Sequence, residues 1–237
     1  MENIKKNNED SLLEEIELSN VSRRKFLRFS SLFGVSVIAV GSIGGLTGCD
    51  KDDDDPMAIN LGSGDTGVLN YAYALEQLEA AFYTQVITSQ YSGITAAEVS
   101  YLTDIRDHEI AHREFFKTAL GANAIPALQV DFSTVNFGSR ASVLGTARAF
   151  EDLGVSAYNG AGKLLTDVNN LLIAGKIVSV EARHAALIRE LITPNSFGAS
   201  DVVDSNGLDV VRTPSEVLAI AGTYLKSALN ASNLPTS

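Results

Sequence analysis

The sequence predicts an all-α fold: a four-helix bundle made of two helical hairpins, with a long crossover between them and one additional C-terminal helix. Three observations carry this. Apolar residues recur at helical rather than alternating spacing from Asp65 onward. Capping residues precede these runs, and glycine or proline closes several of them. Two of the connections are short, whereas the one from Gly121 to Gly138 is long, which separates this plan from a simple up-and-down bundle.

The first helix spans roughly Thr66 to Gln90, with Leu69, Ala72, Leu75, Leu78 and Phe82 along one side. The second opens at Thr95-Ala96-Ala97-Glu98. This is a capping box: the Thr hydroxyl accepts from an orphan N–H and the Glu carboxylate reaches back. It stops near Gly121, a helix-ending residue. The third spans roughly Ser139 to Leu165 and contains Gly154, Gly160 and Gly162. Each glycine costs about 1 kcal/mol of helix propensity, so the glycines either admit a close neighbour or end the helix early. Thr166-Asp167 reads as the turn into the fourth helix, roughly Val168 to Ile192, ended by Pro194. The fifth starts at Thr213-Pro214-Ser215-Glu216, with Thr as N-cap and Pro in the first turn, and runs to about Asn230. No alternating strand stands out, and Leu208 to Val211 is at most a short extended piece. The expected organisation is a presequence over 1–48, an acidic linker over 49–64, the bundle over 65–193, and a long loop with a helix packed on the bundle over 194–237.

Composition narrows the function classes. The formal net charge of -11 argues against nucleic-acid binding, which needs a basic face. The single cysteine, Cys49, excludes an intramolecular disulfide and any multi-thiolate metal site.

The N-terminal region reads as an address. Ser22-Arg23-Arg24-Lys25-Phe26-Leu27 resembles the twin-arginine export motif, and Leu46-Thr47-Gly48-Cys49 resembles a lipobox. The apolar stretch between them, broken by Gly34, Gly41, Gly44 and Gly45, is short for a transmembrane anchor. The resemblance implies cleavage before Cys49 and lipidation of that cysteine. It implies a protein exported to the cell envelope, periplasmic or on the cell surface, that meets the membrane through its lipid anchor only. The twin-arginine route carries proteins already folded, which suits a metal loaded before export. The acidic run Asp50-Lys51-Asp52-Asp53-Asp54-Asp55 is either a solvated linker or a tag similar to that of surface-exported lipoproteins.

Only three histidines occur, and two of them follow a glutamate by three residues: Glu109-Ile110-Ala111-His112 and Glu181-Ala182-Arg183-His184. On a helix this spacing puts a carboxylate and an imidazole on one face, where both can address one metal. The preceding helices repeat a second pattern. Glu76 is followed after seven residues by Tyr83, and Glu151 by Tyr158, with each Glu-x-x-His about 30 residues further on. Four carboxylates balance two divalent ions, and a neutral cluster is what a bundle core tolerates.

The repeated pattern, over roughly residues 65 to 193, resembles the ferritin-like di-metal carboxylate proteins, among them bacterioferritin, rubrerythrin and manganese catalase. The resemblance implies that Glu109 and Glu181 bridge two iron or manganese ions, zinc being a further possibility. Glu76 and His112 would complete one ion, Glu151 and His184 the other. Glu79, one turn after Glu76, is the alternative ligand from the first helix. Tyr83 and Tyr158 would support the ligands or serve only as core residues, and His108 would flank the metal face and hydrogen-bond a carboxylate.

Several functions follow as expectations. The leading one is redox chemistry with dioxygen or peroxide, ferroxidase-like or catalase-like. The second is a non-catalytic role, since the tail from Leu208-Asp209 to Thr213-Pro214-Ser215-Glu216-Val217-Leu218 is similar to the exported desiccation-related group. A storage cage is a third, and a homo-oligomer is compatible with all of them. His108-Glu109-Ile110-Ala111-His112 also matches the zinc-protease motif H-E-x-x-H. That reading lacks a third ligand in the usual place and leaves Glu181, His184 and both tyrosines without a role. The long segment from Asn195 to Arg212 would cover the site or form a partner surface.

Overall fold

The computed structural model describes residues 58–236. The presequence, Arg23, Arg24 and Cys49 lie outside the described residues. The elements run β1 (Ile59–Asn60), α1 (Gly64–Thr88), α2 (Ala96–Leu120), α3 (Arg140–Ala161), α4 (Val168–Ile192), α5 (Pro214–Ala221) and β2 (Leu229–Asn230). α1 packs along α2 and α3 along α4, so each hairpin is a unit, and α1 and α5 both lie against α3. The fold is therefore all-α, and its helices follow the hairpin–crossover–hairpin plan.

Local chemistry accounts for the helix starts. Thr95 Oγ1 accepts from Glu98 N while Thr95 N donates to Glu98 Oε2, closing the capping box of α2. Glu98 is also buried and takes an Nε–H bond of 2.7 Å from Arg140 at the start of α3. Thr213 and Glu216 form a second capping box ahead of α5. Ser139 and Asp167 cap α3 and α4 with their side chains.

Two helix ends differ from expectation. α3 stops at Ala161 and tightens into a 3-10 turn over Gly162–Leu164. α5 stops at Ala221 rather than continuing to Asn230. The backbone beyond it finds other partners: Asp131 N donates to Tyr224 O, Lys226 N to Gln129 O, and Leu229–Asn230 pairs in parallel with Ile59–Asn60. Ile59 to Leu61, expected to belong to the linker, is thus tied to the C-terminal segment, and Leu61 is fully buried. These backbone bonds compete with helix for the same donors and acceptors.

The long crossover is ordered by polar residues of α1. Asn70 donates to the Leu61 and Asn123 carbonyls and accepts from Ile125 N. Gln77 accepts from Leu128 N at 2.8 Å. Phe132 of the crossover joins Phe82, Phe150 and Tyr224 in an edge-packed aromatic cluster that welds α1, α3 and the tail. Residues 195–212 lie over α3 and α4, and Val202 and Val203 line a small cavity together with Val155, Ala182 and Ala185. Arg189 clamps this segment by bonding both Asp152 and Asp201. No helix among the described residues is long and apolar enough to cross a membrane.

Candidate metal centre

The four bundle helices each send polar side chains to one buried point. α1 supplies Glu76, α2 supplies Glu109 and His112, α3 supplies Glu151, and α4 supplies Glu181 and His184. All four of these glutamates are 0% exposed. The spacing of three residues within α2 and α4 keeps each carboxylate and imidazole on the inward face.

The contacts sort into two sets. His112 Nδ1 lies 3.3 Å from Glu76 Oε2, 3.5 Å from Glu109 Oε2 and 3.0 Å from Glu181 Oε1. His184 Nδ1 lies 2.8 Å from Glu109 Oε1, 3.5 Å from Glu151 Oε2 and 3.9 Å from Glu181 Oε2. Glu109 and Glu181 each turn one oxygen toward either histidine, so both sets share them.

These close approaches are not aligned as hydrogen bonds. Eight donor atoms of the six residues are buried without a hydrogen-bond partner: both oxygens of Glu109 and of Glu181, Glu76 Oε2, Glu151 Oε2, and Nδ1 of His112 and His184. A buried polar atom left unpaired costs about 1–3 kcal/mol. Atoms held about 2.1 Å from one ion at right angles stand about 3.0 Å apart, close to most of the separations above. The donor set could therefore hold metal ions.

The two remaining carboxylate oxygens are occupied. Tyr83 of α1 donates to Glu151 Oε1 of α3, and Tyr158 of α3 donates to Glu76 Oε1 of α1. The exchange is reciprocal, so each outer glutamate is left with one oxygen for the centre and each inner glutamate with two.

The electrostatics call for positive charge. Burial pushes the Glu181 carboxyl well above the usual range, and Glu109 and Glu76 push it further. Burial raises Glu76 to about 7 although His112 opposes it. Burial also acts against ionisation of Glu109, but the neighbouring His112 and His184 outweigh it and hold this carboxyl at about 2. Burial would lower His184, yet Glu151 and Glu109 lift it to about 11, and His112 is raised in the same way, chiefly by Glu76.

Glu79 is brought close but belongs to neither set. Burial, then repulsion from Glu181, Glu109, Glu151 and Glu76, pushes its carboxyl far up. Its oxygen sits against Gly154, which occupies the corresponding place after Glu151. Glu76 is thus the α1 carboxylate facing both His112 and the shared pair.

His108 departs from expectation. It bonds no carboxylate of the cluster; its Nδ1 lies 2.9 Å from His184 Nε2, with the two ring planes within 9° of each other. It is exposed overall, and desolvation of its inward side followed by the charge of His184 and His112 holds it below the usual histidine range. The two histidines of the H-E-x-x-H motif therefore point at different partners, and the protease reading falls.

Sequence reasoning missed Tyr71, whose hydroxyl is buried without a partner. Burial and the charge of Glu79 hold its ionisation far above the usual range. Its spacing of two helical turns before Glu79 was the available signal. The ferritin-like domain family model matches residues 64–194, which spans α1 to α4. No curated protein matches the chain.

Proposed function

This chain belongs to the ferritin-like domain family, and we propose that its bundle holds a pair of iron or manganese ions and serves redox chemistry with dioxygen or peroxide. The observation that carries the reading is the division of the eight unpaired donor atoms into two sets that share Glu109 and Glu181. In this reading Glu76 and His112 would hold one ion, Glu151 and His184 the other, with Glu109 and Glu181 shared between the two positions. Carboxylate and imidazole donors suit iron or manganese, and zinc fits the same set. When bound, ions that cycle between the +2 and +3 states supply the electron transfer.

The chain's own residues do the rest. The buried cluster keeps bulk water out and gathers the ligands at one point before binding. Tyr83 and Tyr158 hold the outer carboxylates in place, so that each turns its free oxygen inward. Glu79 adds a further buried carboxyl beside the cluster.

Elemental analysis of protein purified from its native compartment tests the binding claim. Two redox metals per chain are expected, together with peroxide disproportionation or ferrous oxidation that disappears in Glu109→Ala and His184→Ala. Activity indifferent to both substitutions sinks the redox reading. A well-folded protein that takes up no metal supports the non-catalytic, desiccation-related role instead. We further propose that the chain is exported and lipid-anchored through Cys49. Incorporation of labelled fatty acid into the wild type but not into Cys49→Ser checks this.

A further inference from the structure

The two halves of the centre are built from one repeated pattern, but they are not alike outside the ligands. Four residues before His112 stands His108; four residues before His184 stands Val180. The His108 side chain crosses to the other half. Its Nδ1 is 2.9 Å from Nε2 of His184, and the two rings are nearly coplanar, edge to edge, with centroids 5.2 Å apart. The inner nitrogen of His184 meanwhile faces Glu109 and Glu151. The Val180 side chain has no atom able to accept a hydrogen bond, so the internal repeat offers His112 no side-chain counterpart. Among the described residues the polar contacts seen for His112 run through Nδ1, to Glu76, Glu109 and Glu181, with no counterpart of the His108 bond.

An imidazole that binds an ion through Nδ1 must carry its proton on Nε2. An acceptor at Nε2 selects that tautomer, fixes the ring plane and makes the inner nitrogen a better donor. His184 has this support from His108, and the two rings lie nearly coplanar across the bond. His112 lacks it and must select tautomer and orientation when the ion arrives.

Resting on the reading that the cluster binds two ions, we propose that the two positions are inequivalent. The Glu151–His184 position takes up its ion first and holds it more tightly, and His108 is the positioning residue that makes it so.

The test is an anaerobic titration of the full purified chain with ferrous or manganous ion. It is paired with anomalous-scattering occupancies at one equivalent of metal. Two binding steps are expected, with occupancy at one equivalent concentrated beside His184. His108→Leu should weaken that position about 10–100-fold, leaving the position beside His112 unchanged. His108→Asn, whose Oδ1 stands where Nδ1 stood, should restore it, a rescue that a purely space-filling role would not show. Equal occupancy of the two positions in the wild type overturns the inference, as does equal weakening of both by His108→Leu. Failure of His108→Asn to restore affinity, with a native melting curve, overturns the role of His108. These outcomes leave the di-metal reading standing. Absence of any binding by the wild type overturns both.

Discussion

The carboxyl of Glu79 fills the space that a side chain at position 154 would need. A Cβ on Gly154 would lie 3.1 Å from Glu79 Oε1 and 3.6 Å from Glu181 Oε2. The repeat that duplicates Glu76 as Glu151 and Tyr83 as Tyr158 breaks here, with a glycine opposite a glutamate, because two side chains cannot share the volume. Gly154→Ala is therefore expected to forfeit the gain of about 1 kcal/mol that alanine ordinarily has over glycine inside a helix, because its Cβ must move the Glu79 carboxyl by a few tenths of an ångström. In a Glu79→Ala background the same change should recover that gain. Thermal melts of the four proteins measure this coupling.

The shared carboxylates should behave differently from the outer ones. Glu109 offers an oxygen to each histidine, whereas Glu76 faces only the His112 side. Glu109→Ala is expected to abolish binding of both ions, and Glu76→Ala of one. Metal-to-protein ratios after desalting discriminate the two; an equal loss in both variants contradicts the sharing.

The reciprocal tyrosines can be separated by half. Tyr83→Phe frees a buried oxygen of Glu151, and Tyr158→Phe one of Glu76. A hydrogen bond to a charged group contributes about 1.5–3 kcal/mol. Each variant of the metal-free protein should lose stability on that scale in a denaturant titration. Metal retention should fall beside His184 in Tyr83→Phe and beside His112 in Tyr158→Phe.

Gly160 permits the tail to dock. A Cβ there would meet the Arg212 carbonyl oxygen at 1.7 Å, and Arg212 N donates to Ser156 O at 3.1 Å. Backbone on both sides leaves little room to relax. Gly160→Ala should cost about 3 kcal/mol and expose residues 195–212 to limited proteolysis. A cleavage pattern identical to the wild type's contradicts the docking.

Asp65, at the start of α1, accepts from Thr166, Asp167 and Asn170 and so ties α1 to the turn between α3 and α4. Burial acts against its ionisation, but these bonds outweigh it and hold the carboxyl at about 2. Because the folded value is depressed, its contribution is fully present above the usual aspartate range near 4. It is lost as pH falls through about 2. The stability gap between the wild type and Asp65→Asn should be constant from pH 5 to 7, by these values, and close below pH 3. Denaturation curves across that range measure it. The group is partly solvated, so the gap is modest.

Much of this protein is legible in its sequence because the relevant physics is local. The capping boxes at Thr95 and Thr213 need only residues three apart, and so do the Glu-x-x-His faces of α2 and α4. The six residues that converge were readable from the repeated glutamate, tyrosine and Glu-x-x-His spacing, since helical period places them on one face before any helix meets another.

What only the tertiary structure decided depends on registers between helices and on competition for backbone partners. Glu76 and Glu79 share a face of α1, and their roles separate only where α3 presents Gly154 beside one of them. His108 could not be assigned its partner, because His184 reaches it from another helix. The ends of α3 and α5 moved because a helix terminus yields when a better partner waits elsewhere. For α3 the Arg212 backbone lies against Gly160 just before its end; for α5 the crossover and β1 take the chain. Local propensity set where helices begin and which face they bury; packing across the bundle set where they end and which buried group meets which.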